Sequence, residues 1–225
     1  MSKIHTQEKQ YTVMLDYRDK QGLESLGLMT SQAWYDDPKR LTFTLARYKF
    51  AAKMLAGSKN VLEIGCADAF ATRIVKQEVE KLTAIDFDPL FVEDTLARMG
   101  DKWAFDCLVH DMLKGPIKSE FDGIYALDVL EHILPANESL FLENIVSSLS
   151  ENGVLVIGMP SLESQDYASP MSKEGHVNCK SMPDLKSTMQ KYFNNVFMFS
   201  MNDEVIHTGY YKMAHYLFAI GCNKK

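Results

Sequence analysis

The sequence predicts an α/β fold, with one doubly wound, mostly parallel sheet carrying helices on both faces and a helical extension before it. Three observations carry this prediction. Short apolar runs of strand length alternate with stretches at helical period from residue 61 to about residue 192. Each apolar run ends in a small-residue or acidic turn. The runs are mostly apolar rather than strictly alternating, as strands buried on both faces are.

Residues 1 to about 37 have no strong period and contain the turn-prone Trp34-Tyr35-Asp36-Asp37-Pro38. Leu41, Leu45, Tyr48, Ala52 and Leu55 then recur at helical spacing, and Gly57-Ser58 ends that helix. Strands are predicted at 61–64, 82–85, 103–109, 121–127 and 154–159. Helices are predicted at 69–79, from Pro89, at 135–149 and from Ser181 to about Tyr192. Pro89 suits a first helical turn, and Ser181-Met182-Pro183-Asp184 reads as a capped helix start. Two apolar strands, near 196–199 and 215–220, close the chain.

Composition narrows the function. At 225 residues, 46% hydrophobic and 24% charged, the chain suits one substantial core and not disorder. No run approaches the roughly 18–20 apolar residues that span a bilayer. The polar start MSKIHTQEKQ lacks the apolar centre of a signal peptide, so the expectation is a cytoplasmic protein with no membrane partner. A net charge of −6 without a Lys/Arg block argues against nucleic acid as a partner. Cys66, Cys107, Cys179 and Cys222 form no C-x-x-C pair and read as small buried thiols.

In open parallel sheets, ligands bind beyond the carboxyl ends of the strands where the strand order reverses. The residues after each strand therefore carry the chemistry. After the first comes Glu63-Ile64-Gly65-Cys66-Ala67-Asp68-Ala69-Phe70, a tight turn that lets backbone amides approach a ligand. After the second comes Asp86, about 20 residues on, placed to accept from both ribose hydroxyls. After the third comes Asp111-Met112, where a carboxylate suits an adenine amine. After the fourth comes Leu127-Asp128-Val129-Leu130-Glu131-His132.

Glu63-x-Gly65-x-Ala67-x-Ala69, Asp86, Asp111 and Asp128-Val129-Leu130-Glu131-His132 resemble, in order and spacing, the successive motifs of class I S-adenosylmethionine-dependent methyltransferases of the small-molecule type. The resemblance covers about residues 41–222. It implies a Rossmann-like domain over 41–225, with residues 1–40 as an N-terminal extension or lid. It also implies seven strands, the last antiparallel and beside the sixth. The cofactor it implies is S-adenosylmethionine, held by Glu63, Gly65, Cys66, Ala67, Asp86, Phe87, Asp111, Met112, Leu127 and Asp128, with Arg47 at its carboxylate. Ala67 and Ala69 depart from the family's glycines, and the turn survives them if φ is negative there. Read instead as G-x-G-x-x-G, the turn puts Phe70 where a nicotinamide enzyme needs glycine.

A hydroxyl acceptor needs a positioned base or a metal, whereas an amine needs only to be neutral. His132 follows the fourth strand, and His176 lies in the long 160–180 loop. Both are candidate catalytic residues. If Asp128 opens a helical turn, Asp128, Glu131 and His132 share one face and, with His176, form a candidate divalent-metal site. Glu131-His132 reads equally as a packing and hydrogen-bonding segment. His207, Tyr210 and Tyr211, in the 201–214 loop, are candidate acceptor-binding residues. The expected reaction is O-methylation of a small polar acceptor, such as a sugar, a nucleotide-linked sugar or a quinone precursor. The alternatives are N-methylation of a small amine, metal-assisted methylation of an RNA 2′-hydroxyl, or a pseudo-enzyme that retains only nucleotide binding.

Overall fold

The computed structural model describes residues 6–225. Helices α1 (Thr12–Gln21) and α2 (Leu28–Asp36) precede α3 (Lys39–Met54). The alternation then runs β1 (Asn60–Ile64), α4 (Thr72–Lys76), β2 (Lys81–Asp86), α5 (Pro89–Arg98), β3 (Asp106–Val109), β4 (Phe121–Leu127), α6 (Glu138–Ser148) and β5 (Leu149–Pro160). It closes with α7 (Pro170–Gly175), α8 (Met182–Gln190), β6 (Phe193–Asn202), β7 (Val205–His207) and β8 (Tyr216–Lys224).

The strands form one sheet in the order β3-β2-β1-β4-β5-β8-β6-β7. Strands β1 to β5 pair in parallel, and β8 lies antiparallel between β5 and β6. The expected seven strands are joined by an eighth. After a turn at Asp203-Glu204, the three residues of β7 fold back antiparallel on the end of β6. The order reverses between β1 and β4, which opens the crevice expected at their carboxyl ends.

The pleat sends side chains to two cores. Val61, Tyr125 and Leu127 join Tyr48, Ala51 and Ala52 of α3 and Val75 of α4 on one face. Leu62, Ile64 and Ile124 join Phe141, Leu142 and Ile145 of α6 and Leu185 and Met189 of α8 on the other. Ser181 and Asp88 cap α8 and α5 with side-chain oxygens, with a proline in each first turn. Among the described residues no helix is long and apolar enough to cross a membrane.

Candidate functional site

The turn after β1 is bound to β2. The Gly65 and Cys66 amides donate to the Ile85 carbonyl (2.8 and 3.0 Å), and the Ala67 amide donates to Asp86 Oδ2 (2.8 Å). Asp86 Oδ1 also accepts from the Asp88 amide (3.0 Å), so the buried carboxylate braces the turn. Both departures from glycine adopt positive φ, 47° at Ala67 and 49° at Ala69, contrary to the expectation of negative values. The Asp86 bond and the tight return to α4 hold alanine in the left-handed region. Gly65 (φ 71°) has no room for a side chain, because Val129 Cγ2 stands 2.5 Å from where its Cβ would be.

Glu63 is buried beneath this turn. Its oxygens accept from the hydroxyls of Tyr48 (2.6 Å), Thr72 (2.6 Å) and Tyr125 (2.7 Å). Burial still raises its carboxyl above the ordinary range against those three bonds. Glu63 thus ties α3, α4 and β4 together under the turn.

A cavity of about 470 Å³, a size suited to a small ligand, lies over the crevice. Of the sequence-predicted residues, Arg47, Gly65, Cys66, Ala67, Leu127, Asp128, Glu131, His132 and His176 line it. Glu63, Asp86, Phe87, Asp111 and Met112 do not. Asp111 closes its own turn by accepting from the Leu113 amide (2.9 Å), Met112 is buried in the second core, and Phe87 is 72% exposed. His207, Tyr210 and Tyr211 also lie outside the lining, and the residues of α2, α3 and α7 take that wall instead. His207 bonds to Asn202 (2.8 Å) within its own hairpin.

Asp68 was not singled out by sequence reasoning. It is buried, and it accepts from the Thr30 amide (2.6 Å) and the Thr30 hydroxyl (3.0 Å) at the start of α2. It therefore latches the N-terminal extension to the turn. Gly27, which touches Asp68 with no space for a Cβ, is the one visible sequence signal.

Asp128 does not open a helical turn. Its φ is 58°, and the 3₁₀ turn that follows spans Leu130–His132. Its carboxylate is held instead by Arg47 Nη1 (3.0 and 2.9 Å), whose guanidinium lies 3.9 Å from the Tyr216 ring centre. Asp128 is thereby withdrawn from the metal set that a shared helical face implied.

The remaining three come together. The Val177 and Asn178 amides donate to the Glu131 carbonyl (2.8 and 3.0 Å), which pins the long loop against the 3₁₀ turn. The His132 and His176 rings stand 5.2 Å apart between centres. His132 Nδ1 lies 2.9 Å from the Gly175 carbonyl, and His176 Nδ1 lies 2.9 Å from Gln165 Oε1. A carbonyl oxygen only accepts, so Nδ1 of each ring carries the hydrogen and Nε2 keeps its lone pair. Burial, then the proximity of His132, lowers the His176 pKa below its ordinary value. Glu131 is fully buried, and neither carboxylate oxygen has a hydrogen-bond partner. Burial and then the Asp128 charge push its carboxyl well above the usual range.

Residues 62–155 match the family model described as a methyltransferase domain. The chain is 29% identical to Nodulation protein S of Bradyrhizobium diazoefficiens over 143 residues, which is 60% of this chain and 68% of that protein. It is 29% identical to Nodulation protein S of Rhizobium tropici over 138 residues, 58% of each. The fold matches the N-methyltransferase NodS from Bradyrhizobium japonicum WM9 in complex with S-adenosyl-L-homocysteine. The TM-score is 0.65 at 20% identity, covering 84% of this chain and 90% of that one. The matched segment holds the turn after β1, the acids after β2 and β3 and the Asp128–His132 segment, so the motifs that resemble class I S-adenosylmethionine-dependent methyltransferases fall within a stretch that matches a methyltransferase domain.

Proposed function

We propose that the protein methylates a hydroxyl of a small polar acceptor, such as a sugar, bound in the cavity beneath α2 and α3. The observation that carries this reading is the imidazole pair. His132 and His176 keep Nε2 lone pairs beside the cavity, and both Nδ1 hydrogens are already engaged. A hydroxyl must lose its proton as it attacks, and a neutral imidazole takes one near pH 7. His176 is held neutral by its surroundings and serves as the base.

S-adenosylmethionine supplies an electrophilic methyl on a sulfonium. The C–O bond forms as the C–S bond breaks, and the acceptor proton goes to Nε2. This chain's own work is to orient. The residues suit the cofactor: the turn from Gly65 to Ala67 presents backbone at the cavity, and Arg47 keeps a buried Nε without a partner. In this reading Gly65, Cys66, Ala67 and Leu127 flank the methionine end, and Arg47 with Asp128 sets its carboxylate. Asp86 receives the ribose hydroxyls, while Asp111 and the exposed Phe87 receive the adenine. Glu63 and Met112 act from below as positioning residues. Residues 1–40 act as a lid through α2, latched by Asp68. Met29, Gln32, Thr44 and Met171 replace His207, Tyr210 and Tyr211 as the acceptor wall.

A second reading, N-methylation of a small amine, is favoured by the similarity to NodS, itself described as an N-methyltransferase. The two readings separate on product and pH. Purified protein is incubated with isotopically labelled S-adenosylmethionine and a panel of neutral and amino sugars, and the products are mapped by mass spectrometry. Methyl on oxygen is expected, with His176→Gln lowering kcat about 10²–10⁴-fold while S-adenosylhomocysteine still binds. Methylation of amines alone, at a rate indifferent to His176→Gln, overturns the hydroxyl assignment.

A further inference from the structure

We infer that Glu131, His132 and His176 form a binding site for one divalent transition-metal cation on the wall of the cavity. One carboxylate oxygen and one ring nitrogen from each histidine lie within 4.8 Å of one another. Donors bonded to one ion at about 2.0–2.2 Å stand roughly 3–3.5 Å apart, so modest side-chain rotations close the set.

The surroundings are those of a ligand set. Imidazoles that bind metals usually donate their other N–H to a carbonyl or carboxylate, which fixes the tautomer and aims the free nitrogen. Both rings have that arrangement, through Gly175 and Gln165. Gln165 is itself oriented, since its Nε2 donates to the Ser161 carbonyl (3.2 Å) and its oxygen is left to face His176. Gly175 sits against the edge of the His132 ring, where a Cβ would stand 3.3 Å from Nδ1, so a larger residue there crowds the ring.

Glu131 supplies the independent argument. It is fully buried, yet both oxygens lack a protein partner. Protonation does not remove the problem, because the neutral carboxyl then leaves an O–H donor unpaired, at a cost of about 1–3 kcal/mol. Buried polar groups are nearly always satisfied, and a cation held jointly with the two imidazoles satisfies this one. Two nitrogen donors and one carboxylate favour Zn²⁺, Co²⁺, Fe²⁺ or Mn²⁺ over the oxygen-seeking Mg²⁺ and Ca²⁺. His132 is exposed at the rim, so three protein donors leave the remaining positions open toward the cavity. With the cation bound the His176 lone pair is taken, and the cation replaces the imidazole base: as a Lewis acid it lowers the pKa of an acceptor hydroxyl, whose proton is released to water as the C–O bond forms. That role rests on the hydroxyl reading above; the binding site does not.

The test uses the untagged full chain, stripped with chelator and titrated with Co²⁺, whose visible bands report nitrogen and carboxylate ligation. One saturable Co²⁺ per chain is expected, displaced by Zn²⁺ and not by excess Mg²⁺. His176→Ala, on the loop, should weaken Co²⁺ binding more than tenfold. Gln165→Leu, which keeps all three ligands and removes the partner of the His176 ring's far nitrogen, should weaken it about 10–100-fold with circular dichroism and S-adenosylhomocysteine binding unchanged. No saturable Co²⁺ signal, or equal affinity in wild type and His176→Ala, overturns the site. If Co²⁺ fails to bind while His176→Gln still loses turnover, the cation is refuted and the imidazole base stands. If Co²⁺ binds as stated but only amines are methylated, the site stands and the hydroxyl reading falls.

Discussion

Replacing Ala67 with glycine should stabilise the protein, and replacing Ala69 should not. Both alanines are held at φ near +50°, where an L-residue's Cβ crowds the following carbonyl at a cost of about 1–2 kcal/mol. Glycine removes that cost but adds unfolded-state freedom worth about 0.4–1 kcal/mol. For the partly exposed Ala67 the balance is a gain of about 0.5–1 kcal/mol. Ala69 is only 6% exposed and packs in the first core, so its methyl also contributes about 0.8 kcal/mol of burial, which cancels the gain. Thermal unfolding of the two variants and the wild type checks this. Ala67→Gly should raise Tm by about 1–4 °C, and Ala69→Gly should move it by less than about 1 °C. A fall in Tm for Ala67→Gly, or an equal rise for both, would refute the reasoning that local strain, and not packing, separates the two positions.

Two further outcomes follow from single contacts. Asp68→Ala removes both acceptors for Thr30, a loss of about 2 kcal/mol that should raise local opening of α2 roughly thirtyfold. Hydrogen exchange over 28–36 reads it, and unchanged protection there would show that the latch does not hold the helix. His215 Nε2 accepts from the Asp203 amide (2.7 Å), and burial, then Arg47, lower its pKa below the ordinary value. The unfolded chain then binds the proton more tightly than the native one. Stability associated with His215 is therefore present above about pH 6.5 and is lost as pH falls below it. NMR titration of His215 should show a midpoint below that of a free histidine, and a midpoint at or above it contradicts the assigned bond.

The alternation of strand and helix was legible because buried parallel strands need continuous apolar runs and helices need a period, and both are local properties. The turn after β1 was legible for the same reason, since a small residue has to sit where backbone and ligand approach. Its dihedrals were not: alanine alone favours negative φ, and the positive values accompany contacts the local sequence does not announce, the Ala67 amide on Asp86, 19 residues away, and the Ala69 amide turned back onto the Cys66 carbonyl. The predicted 69–79 helix shrinks to five residues and starts only at Thr72, because Ala69 leaves the helical region. Strand β7 was invisible because three residues carry too little pattern, and its pairing is set by the Asp203 turn.

The active-site reading divides in the same way. His132 and His176 were suspect by chemical type, but what joins them is a pair of backbone bonds to the Glu131 carbonyl, and main-chain bonds leave no compositional trace. Asp128 had the right spacing for a shared helical face, yet one long-range ion pair to Arg47 turned it away. The polar, aromatic 201–214 loop had the composition of an acceptor wall and missed the cavity, because the wall was taken by α2 and α3. Composition therefore ranks candidates by chemistry. Which of them meet is decided by contacts between segments distant in sequence: Arg47 to Asp128, Thr30 to Asp68, and Val177 to Glu131.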